Sequence, residues 1–290
     1  MSQIRCITLL VVCHTIAFTQ PDLSPLFPPA EVSTDAIRQA IQAGEMTRAS
    51  MLITSLDPLR RNLWQGILAI TQNNATAAIR SLRKGDNPKA LGVAYYLAGQ
   101  HVLFREQMAE AIHRDPSDFG PYYYLGRHYD SDVDDAEQAI RWLRLALERN
   151  RGYAIARSHL GNCLERLGQT AEAEAAYKAS LTSPLSQLGL ARLRLAESDA
   201  SSALTFAEKA IALDPRDVRA LKLAARIYRT LERPRDAAHV LEAAAALAPR
   251  DASIWYQLAQ VYQSAGDPLK SSAAMRHFER LRAIYGVSPK

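Results

Sequence analysis

Trp255-Tyr256-Gln257-Leu258-Ala259-Gln260-Val261-Tyr262-Gln263-Ser264-Ala265-Gly266 is the stretch on which the fold of this chain turns. Trp255, Leu258, Ala259 and Tyr262 fall at the spacing of one helix face, and Gly266 marks the turn that ends it. Working back along the chain, the Leu258-Ala259 pair recurs as Ala224-Ala225, Leu190-Ala191, Leu160-Gly161, Leu125-Gly126 and Leu91-Gly92. Three residues beyond each small residue stand Tyr262, Tyr228, Arg194, Leu164, Tyr129 and Tyr95, and Gly99, Gly168 and Gly266 share one turn position. A second helix follows each turn, with Ala139, Ala173, Ala203, Ala237 and Ser271 in one register and Ala146, Ser180, Ala210, Ala244 and Phe278 in another. Breaks come at Asp115-Pro116, Asp214-Pro215 and Ala248-Pro249.

Self-similarity at such a period is the mark of a repeat architecture. Glycine or alanine falls where the two helices of a pair approach most closely, so Gly92, Gly126, Gly161, Ala191, Ala225 and Ala259 are the structural repeat positions. Large residues such as Tyr177 and Leu241 fill the space between one pair and the next. No pair buries its apolar face alone, so the pairs must stack. Composition agrees. Hydrophobic residues make up 48% and charged residues 22%, with only 13 glycines in 290 residues and runs such as Ala243-Ala244-Ala245-Ala246 that favour helix. No stretch after residue 34 alternates like a strand.

This pattern resembles the tetratricopeptide repeat, whose signature sets Trp, Leu-Gly and Tyr, then Ala, Phe, Ala and Pro, at fixed offsets. The resemblance implies an all-α fold, a right-handed superhelical solenoid of stacked antiparallel helix pairs. It covers residues 85–285 in six copies, about 85–118, 119–153, 154–183, 184–217, 218–251 and 252–285. Departures are Phe104 in place of a small residue, one inserted residue in the Asp130–Asp135 turn, and an early start of the fourth copy at Pro184. Residues 34–84 read as degenerate N-terminal helical repeats, and residues 286–290 as a tail.

The first 19 residues read as a signal peptide. Arg5 supplies the positive end, Ile7 to Phe18 the apolar run, and Thr15-Ile16-Ala17 the cleavage pattern. An uncleaved membrane anchor is the alternative. Residues 20–33, with Pro21, Pro25, Pro28 and Pro29, read as a Pro-rich linker. Arginine outnumbers lysine 28 to 7, the bias of a GC-rich bacterial genome. The expectation is an exported bacterial protein, periplasmic or extracellular. Cys6 and Cys13 lie in the signal, which leaves Cys163 without an intramolecular partner and reads it as a small buried hydrophobe.

No catalytic fingerprint is found: no nucleophile elbow, no phosphate-cradling glycine loop, no His-Glu-x-x-His. Asp130-Ser131-Asp132-Val133-Asp134-Asp135 begins like a calcium loop but lacks the glycine and the closing glutamate, which are Asp135 and Arg141 here. No catalytic residue, metal or cofactor is expected. A net charge of +5 is too mild to indicate nucleic acid. The resemblance implies a scaffold or adaptor that binds protein or peptide on a concave face built from the first helix of each pair. The candidate face is Lys89, Tyr123, Arg127, Asn162, Arg192, Lys222, Arg226, Arg229, Tyr256 and Gln260, with Ser158, Glu165 and Gln263 on the same stripe. It reads as polar and mostly basic, suited to an acidic segment or a C-terminal carboxylate and to no small-molecule substrate.

Overall fold

The structure is a computed structural model that describes residues 22–28 and 31–285. Among them are sixteen α-helices and no strand. The chain divides into two compact units, Met1–Pro116 and Ser117–Lys290. The segment read as a signal peptide and the segment read as a tail lie outside the described residues.

The first unit holds α1 (Val32–Gln42), α2 (Met46–Thr54), α3 (Pro58–Thr71), α4 (Ala75–Leu82), α5 (Pro88–Leu97) and α6 (His101–Arg114), each packed on the next. Starts are set by short polar side chains that take up free backbone N–H groups. Asp57 accepts from Leu59 and Arg60 ahead of Pro58, and Asn87 accepts from Ala90 ahead of Pro88. Asn74, the acceptor of a formal glycosylation triplet, caps α4 through Ala77 N–H at 3.0 Å. Ile37, Ile53, Trp64 and Ile67 form the core of the first two pairs. Part of the Pro-rich segment belongs to that core. Leu26 is 1% exposed, Phe27 stacks on Trp64 at 5.9 Å, and α1 begins at Val32. The reading of residues 20–33 as a linker is corrected accordingly: two apolar side chains among the prolines anchor the segment.

The second unit holds α7 (Phe119–Ser131), α8 (Ala136–Arg149), α9 (Ala154–Arg166), α10 (Thr170–Lys178), α11 (Pro184–Ala196), α12 (Ala200–Leu213), α13 (Val218–Thr230), α14 (Pro234–Leu247), α15 (Ala252–Ser264) and α16 (Pro268–Tyr285). Consecutive helices pack against one another. The first helices also touch directly, α7 on α9, α9 on α11 and α11 on α13, and so form one layer. Small residues make this possible. A Cβ on Gly126 would stand 2.7 Å from Leu143 Cγ of α8, and one on Gly161 would stand 2.6 Å from the Tyr177 ring of α10. Ala191, Ala225 and Ala259 are buried at the same register, as is Gly92 in the first unit.

Every pair turns in the same way. Just beyond the residue that caps the first helix the backbone turns left-handed, at Gly44, Asn73, Gly99, Asp134, Gly168, Ser198, Glu232 and Gly266. The next N–H then reaches back to a carbonyl in the last turn of that helix, as in Gln100 to Tyr95, Gln169 to Leu164 and Asp267 to Tyr262. In the Asp130–Asp135 turn the bond runs from Asp135 to Tyr129, one residue longer, which accommodates the insertion.

Candidate functional site

The first-helix layer of the second unit carries nine of the ten candidate residues; Lys89, half-buried on α5, belongs to the other unit. Helical spacing alone groups them on one stripe, but the structure sorts them into different environments.

Tyr123 is fully buried. Its ring meets Tyr153 edge-on at 5.0 Å and lies near Tyr124 and His159, so it is a core residue of α7 and α9 and is withdrawn from the candidate face. Arg127 donates to its hydroxyl at 3.3 Å. Ser158 is also buried, bonded to Ser186 Oγ at 2.8 Å, and Ser186 in turn meets Ser180 Oγ at 2.7 Å.

Arg192 is not an unpaired cation. It donates from Nε and Nη2 to the two Glu165 carboxylate oxygens at 2.9 and 2.7 Å, a two-point grip that fits guanidinium to carboxylate. Its Nη2 also reaches Asn162 Oδ1 at 3.3 Å and the Tyr177 hydroxyl at 3.2 Å, while that hydroxyl donates to Glu165 at 2.7 Å. Burial works against the Arg192 charge, yet the Glu165 contacts raise its pKa; burial pushes the Tyr177 phenol up. Asn162, Glu165, Tyr177 and Arg192 thus close a self-satisfied lock between α9, α10 and α11. Lys222 is engaged likewise, by Asp251 at 3.1 Å and Ser253 Oγ at 2.8 Å, both at the start of α15. Burial opposes the Asp251 charge, but bonds from Ser253 and Lys222 hold its carboxyl below the usual range. The expected continuous basic stripe is therefore corrected: neighbouring pairs supply the acids that neutralise it at Arg192 and Lys222.

Arg226 and Arg229 remain. Both are exposed on the C-terminal half of α13, and neither has an ion-pair partner among the described residues. With Thr230, Glu232, Pro234 and Ser264 they line an open cleft of about 710 Å³. Thr230 and Ser264 spend their hydroxyl protons on the Arg226 and Gln260 carbonyls, which leaves oxygen lone pairs to accept from a ligand. Glu232 and Ser264 escape sequence reasoning because they fall outside the helical stripe, one in a turn and the other at a helix end. Tyr256 and Gln260 are half-buried on α15, with Tyr256 against the Phe278 ring at 5.3 Å.

The aspartates of the calcium-like loop are engaged by protein groups. Asp130 pairs with Arg166 at 2.6 Å, Asp134 pairs with the same guanidinium, Asp132 meets His128 Nδ1 at 2.9 Å, and Asp135 caps α8. Cys163 is buried, and burial reinforced by Asp130 drives its thiol pKa far above the ordinary value, so it carries no thiolate.

Two family models described as Tetratricopeptide repeat match the chain, at residues 122–186 and 194–261. Among solved structures, the APC/C hetero-tetramer Cut9–Hcn1 aligns at a TM-score of 0.69 and 17% identity, over 92% of this chain and 55% of that one. PilW, a type IV pilus biogenesis factor, aligns at 0.58 and 18%, and Pseudomonas aeruginosa PilF at 0.60 and 15%. Each covers 69% of this chain, and 93% and 91% of its own. At such identities these likenesses speak to the fold alone. No curated protein matches the chain. The repeated small-residue contacts, the shared left-handed turn and the two matching repeat models lead to one conclusion: residues 122–186 and 194–261 are built of tetratricopeptide repeats.

Proposed function

We propose that this protein is a non-catalytic scaffold that holds a protein or peptide on the first-helix layer of its second unit. The observation that carries the reading is the unpaired Arg226–Arg229 couple on the open cleft, beside a lock and a lysine that are already neutralised. An acidic segment or a C-terminal carboxylate is the partner chemistry that this end of the layer favours, because arginine grips carboxylates at two points. The N-terminal residues support an exported protein acting in the periplasm or outside the cell. If the segment stays attached, the protein is a membrane-tethered assembly factor with the same binding layer. N-terminal sequencing of the protein recovered from its native cells distinguishes the two: a chain starting near Phe18 or Gln20 removes the tether.

The binding reading is tested by selecting displayed random peptides, with free and amidated C-termini, on the purified chain. Enrichment of Asp, Glu or the free carboxylate is expected, with binding lost in the Arg226→Glu, Arg229→Glu double variant and weakened by salt, since screening acts within about 8 Å at physiological strength. Selected peptides that bind this variant undiminished would show that the cleft is only solvated surface.

A further inference from the structure

The second helices α12 and α14 carry a glutamate at one register position, Glu208 and Glu242, and α10 carries Glu174 one turn earlier. Each is bonded at the same interval by the next pair: Glu174 by Arg194, Glu208 by the Tyr228 hydroxyl at 3.0 Å, and Glu242 by the Tyr262 hydroxyl at 2.5 Å. In α16 the position of Glu208 and Glu242 is Arg276. The charge that receives a following repeat is thus inverted. Arg276, Arg280 and Arg282 are all exposed without an ion-pair partner among the described residues, against the single exposed acid Glu279. The helix buries Ala274, Phe278 and Leu281 on its inner side. On the outer side Leu269, Ala273, Arg276, Arg280 and Ile284 follow one helical stripe, with Leu269 83% and Ile284 62% exposed at its two ends.

Cations flanked by apolar side chains on the outside of a single helix suit a plane better than a strand of peptide, which is usually held between walls. At 1.5 Å per residue Leu269 and Ile284 stand roughly 22 Å apart, so a flat anionic layer meets the whole stripe at once. We propose that α16 is a peripheral docking face for anionic lipid. Arg276 and Arg280 pair with phosphate headgroups, and Leu269 and Ile284 enter the boundary between headgroups and acyl chains. This surface is separate from the Arg226–Arg229 cleft and does not depend on the partner read there.

The test uses the full chain with vesicles of phosphatidylglycerol and phosphatidylcholine, and of phosphatidylcholine alone, in flotation. The difference between the two vesicle types isolates the charge-dependent part from any binding by apolar segments elsewhere in the chain. A phosphatidylglycerol-dependent fraction that disappears at high salt is expected. Each basic residue near such a surface contributes roughly a fivefold gain, so Arg276→Glu with Arg280→Glu should lower the partition at least about tenfold. Leu269→Ser with Ile284→Ser should lower it without altering the charge, and Arg226→Glu with Arg229→Glu should leave it unchanged. Equal flotation with both vesicle types overturns the proposal. So does a wild-type chain that binds a polyglutamate peptide through Arg276 and Arg280 but ignores anionic vesicles, an outcome that would assign the face to an acidic protein.

Discussion

At the scale of single residues, the energetics are decided by whether a side chain has room. Gly161 and Gly189 lie against the Tyr177 ring, from α9 and α11 respectively, so neither position accepts a Cβ without displacing an aromatic side chain. Gly161→Leu should cost about 1–3 kcal/mol through overpacking, whereas Glu172→Leu, which loses an exposed ion pair with Arg144, should change stability by about half a kcal/mol. Urea unfolding of the two variants checks this, and equal midpoints would contradict the packing. The left-handed turn gives a second comparison. Gly168 (φ 72°) and Ser198 (φ 65°) occupy the same position, and the left-handed conformation costs a side-chain-bearing residue roughly 1 kcal/mol. Gly168→Ala should lower the melting temperature and Ser198→Gly should raise it. His159 supplies a pH dependence. Burial, then Arg127 and Arg219, hold its pKa well below 6.5, and Asp130 at 3.9 Å does not reverse this. The folded ring stays neutral while the unfolded one takes a proton below about 6.5, so the contribution to stability is intact above that pH. It is lost as the pH falls, by at most about 1.4 kcal/mol per unit. Unfolding at pH 7.5 and 5.5 should show a smaller acid loss in His159→Gln than in the wild type.

At the scale of elements, what joins one helix pair to the next is polar as well as apolar. The lock at Glu165 and Arg192 shows the asymmetry of such links. Glu165→Gln leaves a largely buried guanidinium without its carboxylate and should cost about 1–3 kcal/mol. Replacing both partners, Glu165→Leu with Arg192→Met, should recover most of that loss, and a double variant as unstable as the single one would refute the account. These links also mark what could be read beforehand. Small residues at 92, 126, 161, 191, 225 and 259 show in the sequence because close approach admits nothing larger, and the turn glycines show because left-handed backbone favours them. Helical spacing also places Arg192, Lys222, Arg226 and Arg229 on one stripe. It does not reveal that Glu165 and Asp251, each contributed by a neighbouring pair, neutralise the first two, because pairing depends on the offset between pairs and not on the period within one helix. Tyr123 is misjudged for a related reason: the same position is Lys89, Lys222 and half-buried Tyr256 in three other copies, but here Tyr153 and His159 enclose it.

At the scale of the whole molecule, a stack of pairs needs an end that water accepts. The face that α14 turns toward α15 carries Ala238 and Ala245, both buried, and half-buried Ala248. The corresponding residues of α16 are Ser272, Glu279 and Arg282, all exposed. Placing a further pair against α16 would bury a carboxylate and a guanidinium that lack partners there, whereas α14 without α15 would expose Leu241, Ala238 and Ala245 together. Deleting residues 252–290 should therefore harm solubility far beyond the loss of one pair's contacts. Introducing Ala238→Ser, Ala245→Glu and Ala248→Arg into the shortened chain copies the α16 surface onto α14 and should restore a monodisperse protein. Sedimentation velocity over a range of concentrations, with helical content followed by circular dichroism, reads the outcome. The plain deletion is expected to sediment as growing aggregates, and its substituted form as a single species with reduced but cooperative stability. If both shortened chains were equally soluble, the polar residues of α16 would have no part in ending the stack; if both aggregated equally, the pair α15–α16 would hold the unit together through contacts deeper than its outer surface, such as Ile254, Leu258 and Val261 against the α14 core.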